Sequence, residues 1–234
     1  AFCVVSALSG LREVIIDAQK ILLDAAIAAG VSRFIPSDYS IDFTKFPIGQ
    51  NRNLDWRREF HVYLDQSKIS ATTIFNGAFA DMLTGPMPLI LFKIKRILYW
   101  GNADQQMDFT TIDSTAEFTA SAALDPSTPR FLRIAGDELS AREIKSVVTE
   151  VTGKKFRLFR PGGLGMLKTL IKVARKVGPG TEEVYPAWQG MQYMHNMLEG
   201  RAKIEPLDNN RYPEMRWTTV RDVLTANQNS TGDK

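Results

Sequence analysis

The sequence predicts an α/β protein with a doubly wound, mostly parallel sheet and a smaller α+β portion towards the C-terminus. The first observation is that short apolar runs alternate with stretches of helical periodicity. The second is that a strand, a helix and another strand follow one another within residues 1–36. This is the length of a βαβ unit, whose strands are parallel and whose crossover is right-handed.

Three strands and two helices are predicted in the first third of the chain. AFCVVSA predicts a strand buried on both faces, and apolar residues at helical spacing from 15 to 29 predict a helix that ends at Gly30. VSRFIPS predicts a second strand, which Pro36 stops. After a polar loop over residues 38–53, LDWRREFHVYLDQSK predicts a helix and ISATTIFN a third strand. A loop of that length in a compact domain indicates a functional segment.

The later elements are predicted mainly from their capping residues. Asp113 is the predicted N-cap of the helix STAEFTASAAL, and PRFLRIAG is a further strand. Ser140 and Glu143 predict a capping box at the start of AREIKSVVTEVTG. KKFRLFRPGG reads as a strand, LGMLKTLIKVARKVG as a basic amphipathic helix, and a last short helix is predicted from Thr218.

Composition narrows the class of protein. The chain has 29 basic and 26 acidic residues, so the short basic groups FKIKR and KKFRLFR favour a solvated face over nucleic-acid contact. The apolar stretch at residues 85–100 is interrupted by proline and lysine, and no membrane span is expected. With no signal peptide visible and one cysteine, a cytoplasmic location is the expectation.

Few residues suggest metal or thiol chemistry. Cys3 lies in the first apolar run and is predicted to be a small core residue rather than a nucleophile. The two histidines, His61 and His195, are far apart and have no cysteine companions, so no metal site is expected. His61 is predicted to be a surface or boundary residue on its helix.

Three strand ends carry small or hydroxyl residues, in the segments SALSG, PSDYS and NGAF. Ligands of open parallel sheets bind at the carboxyl ends of the strands, so these segments predict a binding edge. Turn chemistry alone explains them about equally well. Neither a G-x-G-x-x-G fingerprint nor a P-loop is present.

The segments VVSALSG, AAIAAGVSRFIPSDYSID, ISATTIFNGAFADML and MDFTTIDSTAEFTASAAL, in this order, resemble the NmrA-like and isoflavone-reductase-like branch of the atypical short-chain dehydrogenases. The resemblance covers residues 2–150 well and the remainder more loosely. It implies a Rossmann-type sheet that binds NADP(H) or NAD(H), whose glycine-rich βαβ portion would precede Ala1. Residues 1–83, continued by 107–137, would form that domain, and residues 84–106 with 138–234 a smaller substrate-binding domain.

The resemblance also implies a set of cofactor-binding residues at the three strand ends. The first group would lie along the adenosine half, the second beside the ribose and nicotinamide, and the third around the nicotinamide. These groups are Ser6, Ala7 and Leu8; Pro36, Ser37 and Asp38; and Asn76, Gly77, Ala78 and Phe79.

The family's catalytic lysine falls on Arg57, which is a departure from the family pattern. An arginine stays charged, so it binds anionic or hydroxyl groups well and is a poor proton donor. If the protein reduces a substrate, Arg57 is predicted to orient cofactor or substrate, and a water or Tyr39 to handle the proton. The alternative is that Arg57 and Arg58 form a solvated helix face.

Two functions and a neutral alternative follow from the resemblance. The first is an NAD(P)H-dependent reductase of a small carbonyl, quinone or enone, with an aromatic and methionine-rich stretch at residues 188–197 either walling the pocket or serving as plain core. The second is a non-catalytic NAD(P)-sensing regulator that binds a protein partner, which the loss of the lysine favours. The third is a relative that binds nothing tightly. A homodimer is left open.

Overall fold

A computed structural model describes residues 1–85 and 87–232, with side chains described as far as residue 229. Residues 86, 233 and 234 of the predicted substrate-binding segments lie outside this part. The strands are β1 Cys3–Val5, β2 Arg33–Ile35, β3 Ser70–Ala71, β4 Thr73–Phe75, β5 Ala78–Phe79, β6 Ile90–Leu91, β7 Arg96–Leu98, β8 Met107–Thr110, β9 Phe131–Arg133, β10 Asp137–Leu139 and β11 Arg157–Phe159. The helices are α1 Gln19–Ala28, α2 Arg52–Leu64, α3 Ile112–Leu124, α4 Ala141–Thr152, α5 Leu164–Val177, α6 Ala187–Leu198 and α7 Val220–Gly232.

The first strands form the parallel sheet that the sequence predicts. β1 pairs with β2 in parallel, and β2 pairs in parallel with β3. The predicted third strand is divided at Thr72, after which β4 pairs in parallel with β9 instead. Thr72 stands at the division because its hydroxyl donates to the Pro129 carbonyl at 2.9 Å and accepts from Arg33 Nη1 at 3.2 Å.

Two further groups of strands mix directions. β5 is parallel to β8, whose other edge carries the antiparallel β10. β7 is parallel to β11 and antiparallel to β6. The α/β class and the mainly parallel pairing are confirmed, and antiparallel pairs occur only outside the first group of strands in the described part of the chain.

The starts of α3 and α4 show how well local sequence patterns predict helix caps. The capping box of Ser140 and Glu143 is present at the start of α4, as predicted. The prediction of Asp113 as a cap is wrong, because the Thr111 hydroxyl accepts from the backbone N–H of Ser114 and starts α3 two residues earlier. Asp113 lies instead in the first turn, where a negative charge favours the helix dipole.

Two other helices begin differently from the prediction. The first helical segment opens with a π-helical stretch, Glu13–Ala18, and continues as α1. α2 begins at Arg52, inside the predicted loop, because the Asn51 side chain caps it by accepting from the Leu54 N–H. None of the helices in the described part of the chain has both the length and the apolar character needed to cross a membrane.

The core of the described part of the chain consists of three packed clusters, and the largest combines residues from several strands and helices. It joins Phe43, Phe75 and Phe109 to Met194 and Met197 of α6. These two methionines are therefore core residues. The cluster draws on both of the segments into which the sequence was divided.

Candidate functional site

The three predicted strand ends are joined by hydrogen bonds along one edge of the sheet. The backbone N–H of Ser6 donates to the Ile35 carbonyl at 2.8 Å, and the Ser37 hydroxyl donates to the Leu8 carbonyl at 2.7 Å. The N–H of Asn76 donates to the Ser40 carbonyl at 3.0 Å. Parallel strands end at the same side of a sheet, which is why segments distant in sequence meet here.

Besides Oδ1 of Asp38, two polar atoms in the strand-end segments are buried without a hydrogen-bond partner among the described residues. These two are Oγ of Ser6 and Oδ1 of Asn76. An unpaired buried polar atom costs about 1–3 kcal/mol, and native proteins contain few of them. Both atoms follow strands of the parallel sheet, so they fit a ligand that lies across its carboxyl edge.

The turn at Gly77 brings two strands into backbone contact. Its φ is +68°, and a Cβ there would stand 2.3 Å from the carbonyl oxygen of Asp108. The Thr110 hydroxyl donates to the Asn76 carbonyl at 2.7 Å and closes the same junction. Ala78 and Phe79 then continue as β5 along β8. Glycine is required here by both conformation and space.

Asp38 points into the protein and lies in a cluster of polar and charged residues. Its Oδ2 is 2.6 Å from His61 Nε2 and accepts from the Thr73 hydroxyl at 2.8 Å. Arg130 donates to the Thr73 hydroxyl, and its Nη2 is 3.2 Å from His61 Nδ1. Since a guanidinium only donates, Nδ1 accepts and the His61 proton sits on Nε2, directed at Asp38. We call Asp38, His61, Thr73 and Arg130 the charged cluster.

The charged cluster corrects the prediction for His61. This residue is 8% exposed and so is neither a surface nor a boundary residue. Burial alone would raise the pKa of Asp38, but the His61 imidazole, the Arg57 guanidinium and the Thr73 hydroxyl hold that pKa below its ordinary value. The carboxylate is therefore charged at neutral pH.

Arg57 is buried beside the strand edge. Its Nε donates to the Ser37 carbonyl at 3.2 Å, and its Nη1 donates to the Asn53 carbonyl at 3.0 Å. Arg58 is half-buried and donates to the carbonyls of Phe43 and Phe46. The alternative of a solvated helix face is thus wrong for both arginines. A fixed positive charge stands at the end of β2.

Two tyrosines are candidates for proton donation, Tyr39 in the segment after β2 and Tyr193 on α6. Burial raises the pKa of Tyr39 to about 12, against an opposing effect of the nearby Thr119 side chain of α3. Tyr193 of α6 lies near the side chains of Ser40 and Asn53, which act to lower the pKa of its hydroxyl. Burial raises the pKa of Tyr193 as well, and the Arg57 charge opposes that rise. Tyr193 is therefore the tyrosine within the electrostatic reach of Arg57.

A second buried cluster, made only of amide side chains, fastens the start of α2 to α6. Asn51 Nδ2 donates to Asn196 Oδ1 at 3.1 Å, and Gln189 Nε2 donates to Asn51 Oδ1 at 2.6 Å. Gln192 Oε1 accepts from the backbone N–H of Arg52. We call Asn51, Gln189, Gln192 and Asn196 the amide cluster. Its three members on α6 are three and four residues apart, so they lie on one face of the helix. This spacing is visible in the sequence, but it was not used to predict a contact with α2.

Within residues 1–85 and 87–232, no group of three or more histidine, cysteine, aspartate or glutamate side chains is placed to hold a metal ion.

Comparison with known sequences identifies the family. The model of the NmrA-like family matches residues 1–216. The protein named oxidoreductase swnN, from Metarhizium robertsii, is 26% identical over 189 residues, which are 66% of this chain and 55% of that protein. The chain thus spans about half the length of this curated relative.

Solved structures confirm the fold. The complex titled AtPrR2 with NADP+ and (+)pinoresinol has a TM-score of 0.78 at 20% identity and covers 97% of this chain and 75% of its own. An isoflavone reductase has a TM-score of 0.77 at 17% identity, covering 96% and 74%. A leucoanthocyanidin reductase–NADPH complex from Vitis vinifera has a TM-score of 0.77 at 19% identity, covering 97% and 78%. Since the family model matches most of its length, the chain belongs to the NmrA-like family.

Proposed function

We propose that this protein binds NADP(H), or NAD(H), along the carboxyl edge of its parallel sheet and reduces a small carbonyl, quinone or enone. The observation that carries the proposal is the buried Arg57, held on the Ser37 carbonyl at that edge. The unpartnered atoms of Ser6 and Asn76 at the same edge support it. Family membership and the reductases of like fold, two of them described with NADP+ or NADPH, support the cofactor class.

The three predicted segments would hold the cofactor. Ser6, Ala7 and Leu8 follow β1, and Asn76 to Phe79 form the rigid turn against β8. In the segment Pro36, Ser37 and Asp38, the side chains of Ser37 and Asp38 form hydrogen bonds within the protein. This segment would therefore contact the cofactor through its surface shape and not through polar side-chain contacts. A bound reduced nicotinamide supplies a hydride to the substrate carbon.

The protein's own groups would manage charge and proton at the substrate oxygen. The guanidinium of Arg57 stabilises the negative charge that develops on that oxygen. We assign proton donation to Tyr193. Its hydroxyl lies near the side chain of Asn53 and within the electrostatic reach of Arg57, which donates to the Asn53 carbonyl. The Tyr193 O–H bond breaks as the new O–H bond of the product forms, and solvent reprotonates the phenolate. Tyr39, the donor predicted from the sequence, is the competing assignment. Residues 84–106 and 138–234 would supply the substrate-facing side.

Four variants test these roles through NADPH oxidation with a panel of quinones and enones. Arg57→Ala should lower kcat/KM about 100-fold, and Arg57→Lys should retain more activity because the positive charge remains. Tyr193→Phe should lower kcat about 100-fold, whereas Tyr39→Phe should change kcat little. A larger loss in Tyr39→Phe than in Tyr193→Phe would return the donor role to Tyr39.

The replacement of the family's lysine by Arg57 favours a second candidate, a regulator that senses NAD(P) without turnover. Quenching of tryptophan fluorescence by NADPH, with no oxidation of NADPH by any member of the panel, would select this candidate. Absence of both signals would contradict both proposals.

A further inference from the structure

A cleft separate from the strand edge lies between α5, α6 and the segment that leads into α2. Its volume is about 210 Å³, and its walls include Lys168, Lys172, Gln50, Gln192 and His195. This volume is smaller than that of sites for drug-sized ligands. The cleft therefore suits a compact molecule.

Two polar atoms of the cleft walls are buried and unpaired. His195 is 4% exposed, and its Nε2 has no hydrogen-bond partner in the described part of the chain. Oε1 of Gln50 is also buried without a partner there. His195 Nε2 and Gln50 Oε1, both on residues that line the cleft, can therefore each form a hydrogen bond with a ligand.

The cleft is positively charged. Lys168 and Lys172 are four residues apart on α5, so they lie on one face of the helix, where like charges repel. Among the residues whose side chains are described, neither lysine forms an ion pair or a side-chain hydrogen bond. The nearby carboxylate, Glu199, lies 3.8 Å from Arg201. An anion between the two lysines would relieve their repulsion.

We propose that this cleft binds a compact hydroxycarboxylic acid. Its carboxylate would lie between Lys168 and Lys172, its hydroxyl would donate to Gln50 Oε1, and His195 Nε2 would complete its hydrogen bonds. Hydroxyl and carboxylate together match the unpaired acceptor and the two lysines, whereas a plain dicarboxylate brings no hydroxyl donor. Inorganic phosphate, whose P–OH can also donate, is the competing ligand that the titration separates. The site is independent of the reductase proposal, because no residue of the strand edge lines the cleft.

The binding would act on the start of α2. Gly49 and Gln50 line the cleft and directly precede Asn51, which caps the helix that carries Arg57. A ligand that holds these two residues to α5 would stabilise the cap. The experiment measures binding alone, so its outcome does not depend on whether the protein is an enzyme.

The experiment uses NMR of the histidine side chains, since the chain has only two histidines. L-malate, succinate and inorganic phosphate are each titrated at low ionic strength, and the His195→Asn variant assigns the signals. We expect malate to shift the His195 signals and to leave those of His61 unchanged. Succinate, which lacks the hydroxyl, should bind roughly fivefold more weakly.

Charge variants provide the control. The double variant Lys168→Gln/Lys172→Gln should weaken malate binding about tenfold. Lys176→Gln removes one charge from the same helix without touching the cleft and should leave binding unchanged. Equal affinity in the double variant and the wild type would overturn the proposal. Tighter binding of phosphate than of malate would overturn the assignment to a hydroxycarboxylic acid.

Discussion

Two buried polar clusters hold helix α2, and they differ in charge. The charged cluster ties the second half of the helix to the sheet through His61 and Asp38. The amide cluster ties the first turn to α6 through Asn51. Both support the helix that presents Arg57 at the strand edge, one from each end.

The difference indicates how each end of the helix responds to change. A buried charge that loses its partner is expensive, whereas a neutral amide that loses a hydrogen bond costs much less. The charged cluster is also sensitive to pH, and the amide cluster contains no titratable group. The sheet side of the site should therefore be the more stable and the less tolerant of substitution.

Asp38→Asn should have the largest effect. It leaves the Arg57 guanidinium and His61 without their carboxylate, and we expect a loss of about 3 kcal/mol in the free energy of unfolding, measured with urea. Asp104→Asn is the matched control, since Asp104 pairs with Arg142 at the surface and its loss should change stability little. Equal effects of the two variants would contradict the inference that the buried charge of Asp38 is more costly to lose than a surface charge.

Acid should weaken the charged cluster selectively. The pKa of Asp38 is lowered by folding, so its contribution is complete above the carboxyl pKa of the unfolded chain, about 3.9, and is lost as pH falls from there through the lower folded pKa. Urea unfolding at a series of pH values should show a shallower decline below about pH 4 in Asp38→Asn than in the wild type. Asn51→Ala should keep the wild-type dependence on pH.

Asn51→Ala should have an intermediate effect. It removes the helix cap and two amide hydrogen bonds, for a loss of about 2 kcal/mol in urea unfolding. Asn51→Asp retains the capping oxygen but places a carboxylate against Asn196 Oδ1. A variant Asn51→Asp as stable as the wild type would show that the cap alone, and not the contact with α6, matters.

Gln189→Met should have the smallest effect. The methionine is similar in size and removes the Gln189 Oε1, which is buried without a partner in the described part of the chain. Asn51 Oδ1 still accepts from the Leu54 N–H. We expect a change within about 1 kcal/mol by the same urea measurement. A loss as large as that of Asp38→Asn would mean that the amide cluster is no more tolerant than the charged one.

The sequence predicted those features that depend on near neighbours. The α/β order, the capping box of Ser140 and Glu143, and the segments that meet at the strand edge all follow from local patterns. The family resemblance, confirmed by the family model, added the cofactor class as an expectation.

The features that were missed depend on distant partners. His61 is buried because Asp38 and Arg130 satisfy both of its nitrogens, and nothing within its own helix shows this. Arg57 is held in its buried position by the carbonyls of Asn53 and Ser37, and the contact with Ser37, 20 residues away, cannot be read from its own helix. The cap of α3 was misplaced by two residues because Thr111 and Asp113 are both good capping residues, and the backbone after β8 decides between them.

The π-helical opening before α1 limits which insertions and deletions the protein tolerates. Gln19, directly after Glu13–Ala18, is buried and accepts from the Ser37 N–H at 2.8 Å while donating to the Ile15 carbonyl at 2.9 Å. A π-helical turn holds one residue more than an α-helical turn, so deleting one residue there would turn Gln19 about 100° away from the strand edge. Any relative shortened at this point must supply another acceptor for the backbone at the end of β2.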